Sequence, residues 1–307
     1  MIMKNIKLEK IVLGDFLGVI APSRHVYGNN KNINKGINAL KRLGFRIKLA
    51  DHFKSRQNIS AGSKYERVTD INSMFADKDI KAIFCAIGGH TTNQILDLLD
   101  YELINKNPKP IMGFSDITNL IMAINTKTNI ITFHGLNLNL LSSLSKSSIK
   151  QTVDLLQNKK TNFNYFTECK VIKSGIAEGK LLGGNLFVIN ALNKTNFAPN
   201  FEESILFWED IDGGLNSIDY QIYQLHISGI LAKIKGMIIG HIYRQRNKDS
   251  KLLRETLLEL TRRYNYPILK MNSFGHGVRR FITFPIGIKA RINTENKFFG
   301  WEEKIFK

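Results

Sequence analysis

Through the first half of the chain, short apolar runs alternate with stretches whose apolar residues recur every three or four positions. FLGVIAPS, FRIKLA, KAIFCAIGG, KPIMGF and NIITFHG read as buried strands. Between them, NKGINALKRLG puts Ile37, Leu40 and Leu43 at helical spacing and stops at Gly44. TTNQILDLLDYELI opens on Thr and Asn and carries Ile95, Leu98 and Leu99, which predicts one capped helix. ITNLIMAI turns Ile117, Leu120, Ile121 and Ile124 toward a core. Strand and helix alternating in this way predict a parallel sheet wrapped by helices.

The pattern breaks at NKKTNFNYFTECK, residues 158–170, which is polar and aromatic without a clear period. A domain boundary near residue 165 is expected, dividing the chain into 1–165 and 166–307. Beyond it, ILFWED, IKGMIIGHI and FPIGIKARI read as strands, with helical stretches near 217–228 and 250–264. The second domain is thus expected to be a mixed α and β unit.

Composition adds bounds. A chain of 307 residues with 43% hydrophobic content builds a sizeable core in one large or two ordinary domains. The net charge of +18 invites a nucleic-acid or anionic-surface reading. The positive residues are spread thinly, however, with no basic run interleaved with aromatics, so no nucleic-acid partner is expected. Of the two cysteines, Cys85 lies in an apolar run, and neither sits in a Cys-x-x-Cys or Cys/His cluster. That argues against a metal and for a reducing compartment. The N-terminus lacks the pattern of a secretory signal, and no window of about 18 apolar residues is present. A cytoplasmic protein without membrane association is the expectation.

In an open parallel sheet, ligands gather at the carboxyl ends of the strands. Three loops fall there: GGHTTN, GFSD and HGLN. Gly88-Gly89 lets backbone N–H groups approach a ligand, as an oxyanion hole or a phosphate cradle. Ser115 follows a strand and opens a helix, so it is either a helix N-cap or a nucleophile held on a sharp turn. A nucleophilic serine needs a base and a group to orient that base. Among seven histidines, His276 stands out, because SFGHGVRR flanks it with glycines. Glu209, Asp210 and Asp212 follow the apolar run SILFW, and either orient a histidine or form a solvated turn.

Taken together, these segments resemble the LD-carboxypeptidases and the related microcin C immunity peptidases. GDFLGVIAPS is similar to the family's opening strand. The stretch from YERVTDINSMF to NIITFHG is similar to its central block, and GIAEGKLLGGNL to its entry into the second domain. ILFWEDIDGGLNSIDYQIYQL and FGHGVRRFITFPIGIKARI resemble its last two blocks. The resemblance implies a flavodoxin-like domain followed by a smaller α/β domain, an active site in the cleft between them, no cofactor, and a homodimer. It implies a Ser-Glu-His triad of Ser115, Glu209 and His276, and an oxyanion hole from the backbone of Gly89 and Asp116. Gly88 and Asn185 are expected to line the substrate pocket.

Two substrates fit such an enzyme: an L,D-linked peptidoglycan peptide losing its terminal D-amino acid, or an aminoacyl- or peptidyl-nucleotide antibiotic. A third reading, of another class, is a binding protein that kept the fold; it predicts a broken triad. Ile87 replaces the Arg that the typical LD-carboxypeptidase carries before its glycine pair, and IGG, the following Asn-Gln and FWED look closer to the immunity branch. That branch has an additional tryptophan that stacks on adenine. This chain has only Trp208 and Trp301, so Phe or Tyr from NFNYF would have to serve.

Overall fold

The computed structural model describes residues 5–159, 163–211, 214–244 and 247–307. In chain order the first elements are β1 (Phe16–Ile20), α1 (Asn30–Arg42), β2 (Arg46–Leu49), α2 (Lys64–Ala76) and β3 (Ile80–Cys85). There follow α3 (Tyr101–Lys106), β4 (Ile111–Gly113), α4 (Thr118–Thr128), β5 (Thr132–His134) and α5 (Lys146–Leu156). The second half holds β6 (Phe163–Asn164), β7 (Cys169–Lys173), β8 (Ile176–Asn185), α6 (Leu186–Leu192), β9 (Ser204–Asp210) and α7 (Leu215–Ile227). The chain then runs through α8 (Ile230–Lys233), β10 (Gly236–Ile242), α9 (Asn247–Leu260), β11 (Ile268–Met271), β12 (Phe284–Ile286), β13 (Lys289–Asn293) and β14 (Phe298–Trp301).

Two compact units result: residues 1–160 with 280–287 and 304–307, and residues 161–279 with 288–303. The first is a six-stranded sheet in the order β12-β5-β4-β3-β1-β2. Strands β1 to β5 are parallel, in the 2-1-3-4-5 order of flavodoxin-like folds. The predicted parallel sheet is therefore present, with one addition: β12 closes it as an antiparallel edge on β5. Its neighbourhood brings Phe281, Phe284 and Ile286 into the first core, each no more than 1% exposed.

FPIGIKARI is accordingly two strands, not the single one that its apolar pattern suggests. Gly287, at φ +91°, lets the chain turn between β12 in one unit and β13 in the other. The single helix expected over 91–104 is also divided. A 3-10 stretch covers Thr92–Leu98, and α3 starts afresh after Asp100, whose carboxylate accepts the Leu103 N–H at 2.8 Å. Elsewhere, local chemistry agrees with the helices. Ser63 and Glu66 form a capping box at the start of α2. The buried Lys109 ammonium donates to the Met74 and Asp77 carbonyls at its end, and burial pulls the lysine pKa down to about 8.

The second unit is an eight-stranded sheet, β6-β14-β13-β8-β9-β10-β11-β7. Its centre, β8 to β11 by way of β9 and β10, is parallel, and the flanking strands are antiparallel. Phe163, Tyr165 and Trp301 pack together at one side of it, with Phe163 stacked on the indole at 4.8 Å between centroids. Both cysteines are free thiols, and Cys85 is fully buried. Among the described residues no helix is long and apolar enough to cross a membrane, and no cluster of His, Cys, Asp and Glu is placed to hold a metal ion.

Candidate active site

Ser115 sits where β4 ends and a 3-10 turn leads into α4. Its φ is +66°, the left-handed region that a serine rarely occupies. The N-cap positions of the turn and of α4 fall to Phe114 and Ile117, and neither makes a side-chain cap hydrogen bond. A strained residue on a strand-to-helix turn is the arrangement of a nucleophile elbow. The residue before it is clamped: Asn137 accepts from the Phe114 N–H at 3.2 Å and donates to the Phe114 carbonyl at 3.3 Å. The Phe114 ring packs edge-on against His134 and Phe281.

The glycine pair lies beside this turn. A Cβ built on Gly88 would stand 3.1 Å from Ser115 Cβ. One built on Gly89 would fall 2.3 Å from Ser23 Oγ and 2.8 Å from the Arg24 backbone nitrogen, so only glycine fits there. What holds the loop against the serine turn is the buried Asp116 carboxylate. Its Oδ2 accepts from Ser23 Oγ (2.5 Å), the Thr91 and Thr92 N–H groups (2.9 Å each) and Thr92 Oγ1 (2.7 Å). Its Oδ1 accepts from Asn119 Nδ2 at 2.9 Å. Arg67, also buried, donates to the Pro22 and Thr91 carbonyls and so ties the same segments together.

In the second unit, Glu209 emerges near the end of β9 and is fully buried. Its Oε2 accepts from His276 Nδ1 at 2.6 Å and from the His276 backbone N–H at 3.1 Å. A carboxylate only accepts, so Nδ1 carries the proton and Nε2 is left as the basic nitrogen. The His276 side chain is 13% exposed. Burial lowers its pKa, the charge and hydrogen bond of Glu209 raise it, Asp210 adds to the rise, and the net shift is upward. Gly275 (φ +111°) makes this approach possible, because a Cβ there would lie 2.8 Å from Glu209 Cβ.

The other Glu209 oxygen accepts from Asn185 Nδ2 at 3.1 Å, across the β8–β9 pair in which the two residues are register partners. Asn185, expected along the substrate pocket, thus has its amide between Glu209 and the first turn of α6, where its oxygen accepts the Val188 N–H. Asp210 points the other way along the strand and accepts from Gln221 of α7 at 3.2 Å. Asp212 lies outside the described residues. Gly88, Gly89, Ser115 and Asp116 are therefore brought together in the first unit, and Asn185, Glu209 and His276 in the second.

Sequence reasoning passed over two residues. His241, which reads only as the end of a strand, donates from Nδ1 to the His276 carbonyl at 2.6 Å, while its backbone N–H bonds the Phe274 carbonyl. Asn137 sits in the HGLN loop at a strand's carboxyl end, and that position was its only signal.

Comparison with known proteins places the chain in a family. Residues 17–135 match the LD-carboxypeptidase N-terminal domain and residues 178–292 the LD-carboxypeptidase C-terminal domain. The chain is 33% identical to the probable murein peptide carboxypeptidase of Bacillus subtilis, over 95% of this chain and 93% of that one. It is 27% identical to the microcin C7 self-immunity protein MccF of Escherichia coli, over 94% of this chain and 93% of the relative. A crystal structure of muramoyltetrapeptide carboxypeptidase from Oxalobacter formigenes superimposes with a TM-score of 0.78 at 26% identity, covering 90% of this chain and 94% of that one. A structure of an inactive mutant of MccF in its apo state reaches 0.89 at 24% identity over 98% and 99% of the two chains, a likeness of fold. The chain belongs to the LD-carboxypeptidase family of serine-type carboxypeptidases, which are hydrolases.

Proposed function

We propose that this enzyme cleaves an amide bond with Ser115, His276 and Glu209 as its triad, and releases a terminal D-amino acid from an L,D-linked peptidoglycan peptide. The observation that carries the triad is the bond from His276 Nδ1 to the buried Glu209, in a chain whose Ser115 occupies a strained turn. In this reading His276 Nε2 takes the Ser115 proton as the hydroxyl attacks the scissile carbonyl. It then delivers that proton to the leaving amine. Glu209 fixes the tautomer and stabilises the imidazolium, and Asn185 acts through Glu209. The backbone N–H groups of Gly89 and Asp116 receive the oxyanion, each such donor contributing about 3 kcal/mol to the transition state. Water then attacks the acyl-serine, with His276 again the base.

The substrate assignment rests on the B. subtilis relative and on where the aromatic residues lie. Trp208 and Trp301 are at most 1% exposed, and Phe163 and Tyr165 are buried against Trp301, so these four have no face for an adenine; Phe166, the remaining aromatic of NFNYF, is half-buried and is the one candidate left in that segment. A second reading keeps support from Ile87-Gly88-Gly89, Asn93-Gln94 and FWED, shared with the immunity branch. MccF has been solved with aspartyl sulfamoyl adenosine and glutamyl sulfamoyl guanosine. In that reading the same triad cleaves an aminoacyl nucleotide.

Mass spectrometry separates the two. The enzyme and its Ser115→Ala variant are each given a muropeptide tetrapeptide and an aminoacyl-sulfamoyl adenosine. Serine-dependent loss of D-Ala is the expected result. Serine-dependent release of the amino acid from the adenosine compound alone would transfer the assignment to the second reading. The proposal also carries a cytoplasmic homodimer, and a monomeric sedimentation profile at micromolar concentration would remove the dimer.

A further inference from the structure

The second unit contains a cavity of about 370 Å³ that plays no part in the triad. Its volume is at the lower end for small-molecule pockets. One wall is the face of the sheet on which Lys270 of β11 lies between Ile239 of β10 and Lys170 of β7, its register partners. Register partners present their side chains on one face of a sheet. The other wall is α9, through Leu253, Arg254 and Leu257. Lys170, Arg254 and Lys270 are cations, and no acidic residue is among the described residues that line the cavity.

Cations are common on a chain of net charge +18, so two exposed ones would mean little. Lys270 is different. It stands mid-strand between Leu269 and Met271, both fully buried, and its ammonium donates to the Gly240 carbonyl. Burial alone pulls its pKa down to about 8, and no carboxylate offsets that shift. Lys270 is half-buried, and a charge drawn partly out of water is ordinarily paired, so one with no carboxylate partner beside an open cavity marks a place for a counter-charge. The remaining lining is Val171, Ile172, Ile239, Leu253 and Leu257, with Asn272 the one uncharged polar residue among them. Inorganic phosphate would leave that surface unused, and a purely apolar ligand would leave the ammonium unanswered.

We propose that this cavity binds a small carboxylate with an aliphatic body, the carboxylate answering Lys270, Lys170 and Arg254 and the hydrocarbon resting on Ile239, Leu253 and Leu257. The inference does not depend on the triad or on its substrate. Gly240, whose carbonyl Lys270 holds, packs against Glu209, so the cavity lies one residue contact from the proposed triad.

Isothermal titration of the full chain with octanoate tests it, with acetate (charge without body) and octan-1-ol (body without charge) as comparisons. Saturable binding of one octanoate per chain is expected, with both comparison ligands at least about tenfold weaker. Lys270→Gln is expected to weaken octanoate by a similar factor. Absence of saturation at millimolar octanoate, equal binding of octan-1-ol, or undiminished binding by a folded Lys270→Gln variant would each overturn the proposal. If Lys270→Gln does not fold, the doubly substituted Lys170→Gln/Arg254→Gln chain replaces it, since both side chains are exposed. Severalfold weaker octanoate binding by that chain supports the site, and unchanged binding overturns it.

Discussion

Glu209 has both carboxylate oxygens engaged, one by His276 and one by Asn185, and is fully buried. Replacing it with Gln keeps the shape and removes the charge. We expect Glu209→Gln to lower kcat by about 10³-fold or more while the melting temperature changes little. The same pair sets the pH response. Protonating His276 strengthens its bond to Glu209, so that share of stability is full below the ordinary histidine value of about 6.5 and fades as pH rises through the elevated folded value. In the proposed mechanism the base is the neutral ring, so kcat/KM should climb through that same elevated value. In Glu209→Gln the larger raising influence is gone and only that of Asp210 remains, so the residual activity should show its acid limb at lower pH. An unmoved limb would assign the limb to another group. Asp116 presents a second case. All five of its partners are donors, so in Asp116→Asn an NH2 must face at least one of them. A loss of about 1–3 kcal/mol in denaturant unfolding, with a marked fall in kcat, is expected. Of these residues, Ser115 is legible as a strand-to-helix serine, but the sign of its φ is not. A capping serine and a strained nucleophile share the same neighbours in sequence.

The strands and helices that carry the site follow the apolar pattern closely, because β1, β3, β9 and β10 are buried runs, and α4 is buried all round from Thr118 to Asn125. Two departures share a cause that periodicity does not encode. The stretch 92–98 is wound as a 3-10 segment where the buried Asp116 takes the N–H groups of Thr91 and Thr92, and Asp100 then starts a new helix. FPIGIKARI divides at Gly287 because its two halves pair with strands of different units. The loop 272–279 shows the same dependence on tertiary partners. Its glycines are visible in sequence, yet why Gly275 must be glycine depends on Glu209, 66 positions earlier. Gly275→Ala would force a Cβ against Glu209 at a positive φ. Unfolding should become easier by about 1–3 kcal/mol, and kcat should fall as His276 is displaced. Wild-type kcat in a folded Gly275→Ala chain would show that the loop tolerates the shift.

At the scale of the whole chain, sequence suggests two consecutive domains, whereas the compact units are interleaved. Residues 280–287 and 304–307 return to the first unit, where β12 covers the β5 edge and Phe281, Ile282, Phe284, Ile286 and Phe306 complete the core. A fragment of residues 1–160 alone should therefore expose that edge and fail to unfold cooperatively, as seen by circular dichroism in urea. A sharp transition would make the returning segments dispensable. The central claim concerns the serine. The most direct measurement is intact-mass and peptide-level mass spectrometry after treatment with a fluorophosphonate. The account predicts a single adduct on the peptide carrying Ser115, absent in Ser115→Ala and much slower to form in His276→Ala. Labelling elsewhere, or labelling of Ser115 at an unchanged rate without His276, would contradict it.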